Sequence, residues 1–275
     1  MTRILRSAIW VLLFLCLPLG SLVGHLSCNQ TSGERASFQT GFTGGLSDSD
    51  TVSSFTNSRG WTVTLSKAYV ALGPVYFYSS PPQTALLERL LGNGTARACP
   101  AHAQFDKGAV LGEVLEQYAV DLLSGEVLDT GLRYGVAGTA RMFEVHLHPP
   151  GEVAPGSTAS TFEPLNGHSI WVAGTATKDG STVEFEGGLT IPDEGTLRIV
   201  MSIPTELELR DTADHPGRAV VKVHLDAWFY NVDFGSLTEL AGSGRYVIGE
   251  DTQAYQALQV GLRSRTSYSA TWRNP

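Results

Sequence analysis

GTARMFEVHLHPP, residues 138–150, decides how the rest of the chain is read. Side chains alternate across a β-strand, so Phe143, Val145 and Leu147 fall on one side and Glu144, His146 and His148 on the other. The first set suits a core. The second places two imidazoles roughly 6–7 Å apart, at about 3.3 Å per residue, with a carboxylate beside them. Pro149 and Pro150 end the run, since proline gives a ladder no N–H.

The same period extends outward. Trp61, Val63 and Leu65 alternate with Thr62, Thr64 and Ser66, and Val75–Tyr78 is aromatic enough for a second strand. Val221, Val223 and Leu225 alternate with Lys222 and His224. Lys178-Asp179-Gly180 carries an Asp-Gly hairpin signal between the strand patterns on either side, which predicts a hairpin over 168–191. Further strands are expected over 113–123, 197–203, 207–209, 219–225 and 266–272, and 132–140 leads into the opening strand. The pentapeptide Val136–Ala140 recurs as Val172–Ala176, which two similarly placed sheet strands would explain.

Helical patterns are few. Residues 84–91 combine high helix propensity with leucines at helical spacing and a stop at Gly92, and 251–262 offers a second short helix. Ala227–Phe234 packs four aromatics into eight residues and reads as a core plug closing one end of the fold. Strands at short spacing with turns between them disfavour a parallel α/β arrangement. The expected fold is mainly β: an antiparallel β-sandwich or partly open barrel with one or two short helices, in a single β-rich domain over 51–275.

Two segments precede that domain. Arg3 and Arg6 ahead of the apolar run Ile9–Leu19, broken by Pro18 and Gly20, form a secretory signal pattern over 1–27 rather than a membrane span. Residues 28–50 are rich in Ser, Thr and Gly and read as a flexible tether, with an early strand near Phe38–Phe42. Cys16 leaves with the signal. If Cys28 stays unmodified, an exported compartment favours a Cys28–Cys99 disulfide; if it is lipidated, Cys99 is left as an unpaired thiol.

The formal charge is −8, and about −10 without Arg3 and Arg6. Lysines and arginines are scattered, so nucleic acid is excluded as a partner: neutralising phosphates needs clustered positive charge. Gly167-His-Ser-Ile-Trp171 begins like a nucleophile elbow, but Trp171 stands where the tight turn needs glycine. No phosphate-cradling glycine loop, HExxH or CxxC is present. Cys99 and His102, three apart in a proline-restrained loop, add a thiol and an imidazole, ligand types that suit copper or zinc.

Leu22–Cys28, with Ser27 before the cysteine and a polar spacer behind it, resembles the lipoprotein box of exported bacterial lipoproteins of unassigned function, although His25 replaces the usual leucine. That resemblance implies lipidation at Cys28 and a place in the periplasm, outer membrane or cell surface. The general character is also similar to that of small periplasmic copper-binding β proteins, which use histidines and sometimes a modified tryptophan as ligands. No motif maps onto them residue by residue.

The expected function is binding rather than catalysis. A lipid-anchored cell-envelope protein would hold copper or zinc through some of His146, His148, His102 and Cys99. The alternatives are a metal-free structural or protein-interaction module of the envelope, and an envelope hydrolase needing paired carboxylates or a Ser–His pair in one cleft.

Overall fold

The computed structural model describes residues 34–52, 54–79, 108–156, 162–213, 217–240 and 242–274. The signal pattern, Cys28, the 84–91 helix pattern, Cys99 and His102 lie outside them. The chain opens with β1 (Arg35–Gly45), β2 (Phe55–Thr56), β3 (Thr62–Leu72) and β4 (Val75–Tyr78). Next come β5 (Val110–Val114), β6 (Tyr118–Asp121), β7 (Leu128–Val136) and β8 (Gly138–His146). The hairpin β9 (Ile170–Lys178) and β10 (Ser181–Leu189) precedes β11 (Ile199–Leu209) and β12 (Arg218–His224). A single-turn helix α1 (Leu225–Trp228), the short strands β13 (Thr238–Glu239) and β14 (Arg245–Val247), helix α2 (Gln253–Leu262) and β15 (Tyr268–Arg273) complete it.

These strands make three sheets, ordered β15-β12-β1-β7, β13-β14-β10-β9-β3-β2 with β6 also on β3, and β11-β8-β4-β5. The fold is a mainly β sandwich with two helices among the described residues. Pairing is antiparallel except at β1–β12 and β10–β14, which run parallel. The two four-stranded sheets come together at their edges. Gly135 of β7 lies against the carbonyl of Leu111 in β5, and Thr205 of β11 donates to the carbonyl of Ala270 in β15 at 2.9 Å.

The period-two reading places the core. Phe143, Val145 and Leu147 are fully buried, as are Val63, Val70, Leu72, Val221 and Val223. In β3 the inward parity changes from Trp61 and Val63 to Ala68, Val70 and Leu72, because a bulge between Leu65 and Lys67 inserts a residue against β9. Asp179 and Gly180 take φ of 50° and 80°, the left-handed pair that closes a two-residue hairpin, and Lys178 pairs with Ser181.

Four expectations need correction. The early strand expected near Phe38–Phe42 is present but longer, and the tether expected around it over 28–50 gives way at Arg35 to β1, which lies between β7 and β12 in its sheet. Its small residues serve packing: a Cβ on Gly44 would sit 2.1 Å from the carbonyl oxygen of Leu122. The single strand expected over 113–123 is two, β5 and β6, in different sheets. Between them Gln117 leaves the ladder and exchanges backbone bonds with Ala154 and Gly156. The 197–203 and 207–209 pieces are one strand, β11, whose two register shifts interrupt its alternation. The repeated pentapeptide has no common placement: its first copy spans the β7–β8 junction and its second lies inside β9.

Ala227–Phe234 closes the interior as expected. Trp228, Phe229, Val232 and Phe234 are buried while Tyr230 faces solvent. The Phe234 ring meets Phe185 at 4.6 Å between centroids. Asn57 fastens this segment to the second sheet, donating through Nδ2 to the carbonyls of Phe229 and Val232 at 3.1 and 2.7 Å. Trp61 Nε1 donates to Asp233 Oδ1 at 3.1 Å. α2 is capped by Thr252, whose hydroxyl accepts from Tyr255 N, and it buries Ala254, Ala257, Leu258 and Leu262.

Candidate functional site

The outer face of β8 is where side chains with chemistry gather. Val145 is turned fully inward, so Glu144 and His146 project the other way, and His148 follows just beyond the strand end. The two imidazole rings lie 5.8 Å apart between centroids at 28°, a stacked pair. On β4, Tyr76 is the register partner of Glu144, and its ring lies 5.5 Å from that of His146. Tyr78 donates its hydroxyl to Glu144 Oε1 at 2.7 Å, and His146 Nε2 approaches the same oxygen at 3.4 Å.

The backbone fixes these positions. His146 N donates to the carbonyl of Pro74, and Gly73 N to the carbonyl of His146. His148 is held from a different direction: Gln117 Nε2 donates to its carbonyl at 2.7 Å. Its ring faces Glu152, with Nδ1 3.6 Å from Oε2, beyond hydrogen-bond reach, and Glu152 is itself ion-paired to Arg198. His148 Nδ1 is therefore a buried nitrogen with no hydrogen-bond partner among the described residues.

The electrostatics follow from burial. Desolvation holds the His148 imidazole below its ordinary pKa, the neighbouring His146 adds to the shift, and Glu152 opposes it. The Tyr78 phenol is pushed far up by burial first and then by its bond to Glu144. Tyr76 is raised by burial, Glu113 and Glu144. At neutral pH this face carries protonated phenols and an uncharged His148 imidazole able to act as a ligand.

Of the four sequence-derived metal candidates, His146 and His148 are brought together; Cys99 and His102 fall outside the described residues. Among those residues no group of three or more His, Cys, Asp or Glu side chains has metal-holding geometry. The sequence reading missed Tyr78, Gln117 and Arg198. The aromatic run Val75–Tyr78 was the only signal, and it read as a strand and not as the partner of Glu144. A serine–imidazole pair does exist elsewhere, His224 Nε2 to Ser269 Oγ at 2.9 Å, but His224 is buried where β12 ends, beneath the carbonyl of Leu46. Ser169, in the elbow-like stretch, is fully buried, and its hydroxyl accepts from Ile191 N.

The class these features define is a mainly β protein with an aromatic- and histidine-bearing outer sheet face. No protein-family model matches the chain, and no curated protein matches it. Among solved structures, MbnP from Methylosinus trichosporium aligns over 87% of this chain and 98% of its own, at 8% identity and a TM-score of 0.44.

Proposed function

We propose that this is an exported cell-envelope protein, anchored through lipid on Cys28, that binds a transition-metal ion, copper or zinc, between His146 and His148. The observation that carries the reading is the stacked imidazole pair in which His148 Nδ1 is buried without a hydrogen-bond partner. A buried polar atom left unbonded costs about 1–3 kcal/mol, which an ion would offset. Glu144 faces Nε2 of His146 and is itself held by Tyr78, the arrangement by which an outer carboxylate orients a ligating ring. That leaves Nδ1 of His146 for the metal. Imidazole suits both copper and zinc.

Metal analysis of the purified mature protein tests this, alongside a His146→Ala/His148→Ala double variant. The expected result is near-stoichiometric metal that the double variant loses. Less than about a tenth of an ion per chain, or unchanged metal in the variant, sinks the reading. Mass measurement of the exported chain with Cys28 intact and as Cys28→Ser tests the anchor: a diacylglyceryl mass increment must be present in the first and absent in the second.

A further inference from the structure

A second site, separate from the histidine face, lies on the outer side of the seven-stranded sheet. The β3 bulge opens a cleft of about 300 Å³ there. Its geometry follows from the sheet register. Lys67 pairs with Ala173 and Ala173 with Glu186; Thr64 pairs with Thr175, Thr175 with Glu184, and Glu184 with Arg245. Small residues thus form the floor at Ala173 and Gly174, and long polar side chains stand on either side. Gly174, in register with Leu65 and the buried Phe185, contributes only its backbone to the floor, and a Cβ there would lie 2.3 Å from the carbonyl oxygen of Thr64.

The lining also selects a ligand class. Lys67 and Arg245 bring two positive charges, Glu184 and Glu186 two negative ones, so the cleft is polar without favouring either sign of ion. Arg245 lies within 3.6 Å of Glu184 and 3.8 Å of Glu186, and Lys67 makes no ion pair among the described residues. Ammonium and guanidinium groups only donate, carboxylates only accept, and the hydroxyls of Thr64 and Thr175 do both. Donors and acceptors interleaved around a flat apolar floor complement a molecule with many hydroxyls and a flat C–H face.

One row further along the same face, Tyr69 pairs with Trp171, and Trp171 with Gly188. Gly188 lets the indole lie against the strand: a Cβ there would meet His168 Cδ2 at 2.3 Å and Trp171 Cε3 at 2.8 Å. The indole stays partly exposed. Trp171, two residues from Ala173 on the same face of β9, packs against the His168 ring at 5.6 Å between centroids and offers its remaining exposed area to an apolar ring face. We infer that this cleft binds a neutral oligosaccharide, seated on Ala173 and Gly174 with one sugar ring against Trp171. The site is independent of metal.

Titration calorimetry with cellotetraose and with the N-acetylglucosamine tetramer tests it, with succinate and putrescine as charged controls. Saturable binding of at least one sugar, with a Kd below about 1 mM, is expected. Ala173→Arg fills the floor and should weaken binding about tenfold or more. Lys67→Met, at an exposed side chain, should weaken it without lowering the unfolding temperature, which covers the case in which Ala173→Arg fails to fold. The His146→Ala/His148→Ala double variant should bind sugar as the wild type does. The inference is overturned if neither sugar binds, if succinate or putrescine binds in their place, or if sugar binding is indifferent to both Ala173→Arg and Lys67→Met.

Discussion

Tyr78 and Glu144, on neighbouring strands, are joined by a 2.7 Å hydrogen bond in which the phenol donates to a carboxylate that is almost wholly buried. A buried carboxylate without compensating donors is costly, and bonds to charged groups contribute about 1.5–3 kcal/mol. Tyr78→Phe is therefore expected to destabilise the fold by about that amount in urea unfolding. Glu144→Gln should cost less, since its amide oxygen can accept from the same phenol without a buried charge. Equal losses for the two substitutions would show that the carboxylate's charge does not depend on Tyr78.

His224 gives the fold an acid-side sensitivity away from the histidine face. Its ring is buried; Nε2 lies 2.9 Å from Ser269 Oγ and Nδ1 3.4 Å from the carbonyl of Leu46. Burial lowers its pKa from 6.5, Lys222 lowers it further, and the Leu46 carbonyl, Asp226 and Asp50 raise it. The unfolded chain therefore takes up this proton before the folded one does. Stability from the neutral ring is fully present above pH 6.5 and falls as the pH drops below that value towards the folded pKa. Urea midpoints measured from pH 7.5 to 5 check this. His224→Gln should flatten that part of the curve, and a parallel curve in the variant would exclude His224 as the cause.

Gly44 separates what the sequence shows from what only the packed chain shows. Alternation along 143–147, 61–65 and 221–225 was readable because one face of each strand is buried and the other is not, so the burial pattern is written into residue type. β1 was not readable in the same way. Its stretch Thr40–Gly45 is buried on both faces, and its glycines are there because neighbouring backbone approaches closely. A Gly/Ser/Thr-rich composition looks the same whether it is solvated or tightly packed. The histidine pair was visible from spacing alone, whereas its surroundings, Tyr78 on β4, Gln117 before β6 and Arg198 before β11, depend on strand neighbours far apart in sequence.

The same residue provides a direct test. Gly44→Ala puts a Cβ 2.1 Å from the Leu122 carbonyl and 2.6 Å from its Cα, so β1 or the Leu122 backbone must move. A loss of about 1–3 kcal/mol is expected, as for other overpacked interior positions. Gly125 supplies the contrast: its φ of 72° is left-handed, yet a Cβ at that position would have nothing within 4 Å. Gly125→Asn, a residue that tolerates that conformation, should stay within about 0.5–1 kcal/mol of wild type. If both variants unfold at the wild-type midpoint, β1 is a tether after all.

Phe234 joins the core plug to the hairpin. Its ring sits 4.6 Å from Phe185 on β10, 5.8 Å from Trp61 ahead of β3 and 6.1 Å from Phe229. These contacts bring together three segments distant in sequence, and Phe234 is 1% exposed. Phe234→Ala removes the ring from a site that cannot collapse easily, since Asn57 donates to the Val232 carbonyl before it and Asp233 Oδ1 accepts from Gly235 N after it. A loss of about 3–5 kcal/mol is expected, and Phe234→Leu should lose less because most of the volume is kept. Tyr230→Ala, four residues earlier and 66% exposed, should change stability by no more than about 0.5 kcal/mol. Thermal and urea unfolding of the three variants would distinguish a plug from a surface aromatic cluster: comparable losses at Phe234 and Tyr230 would mean that the segment is not the closure of the core.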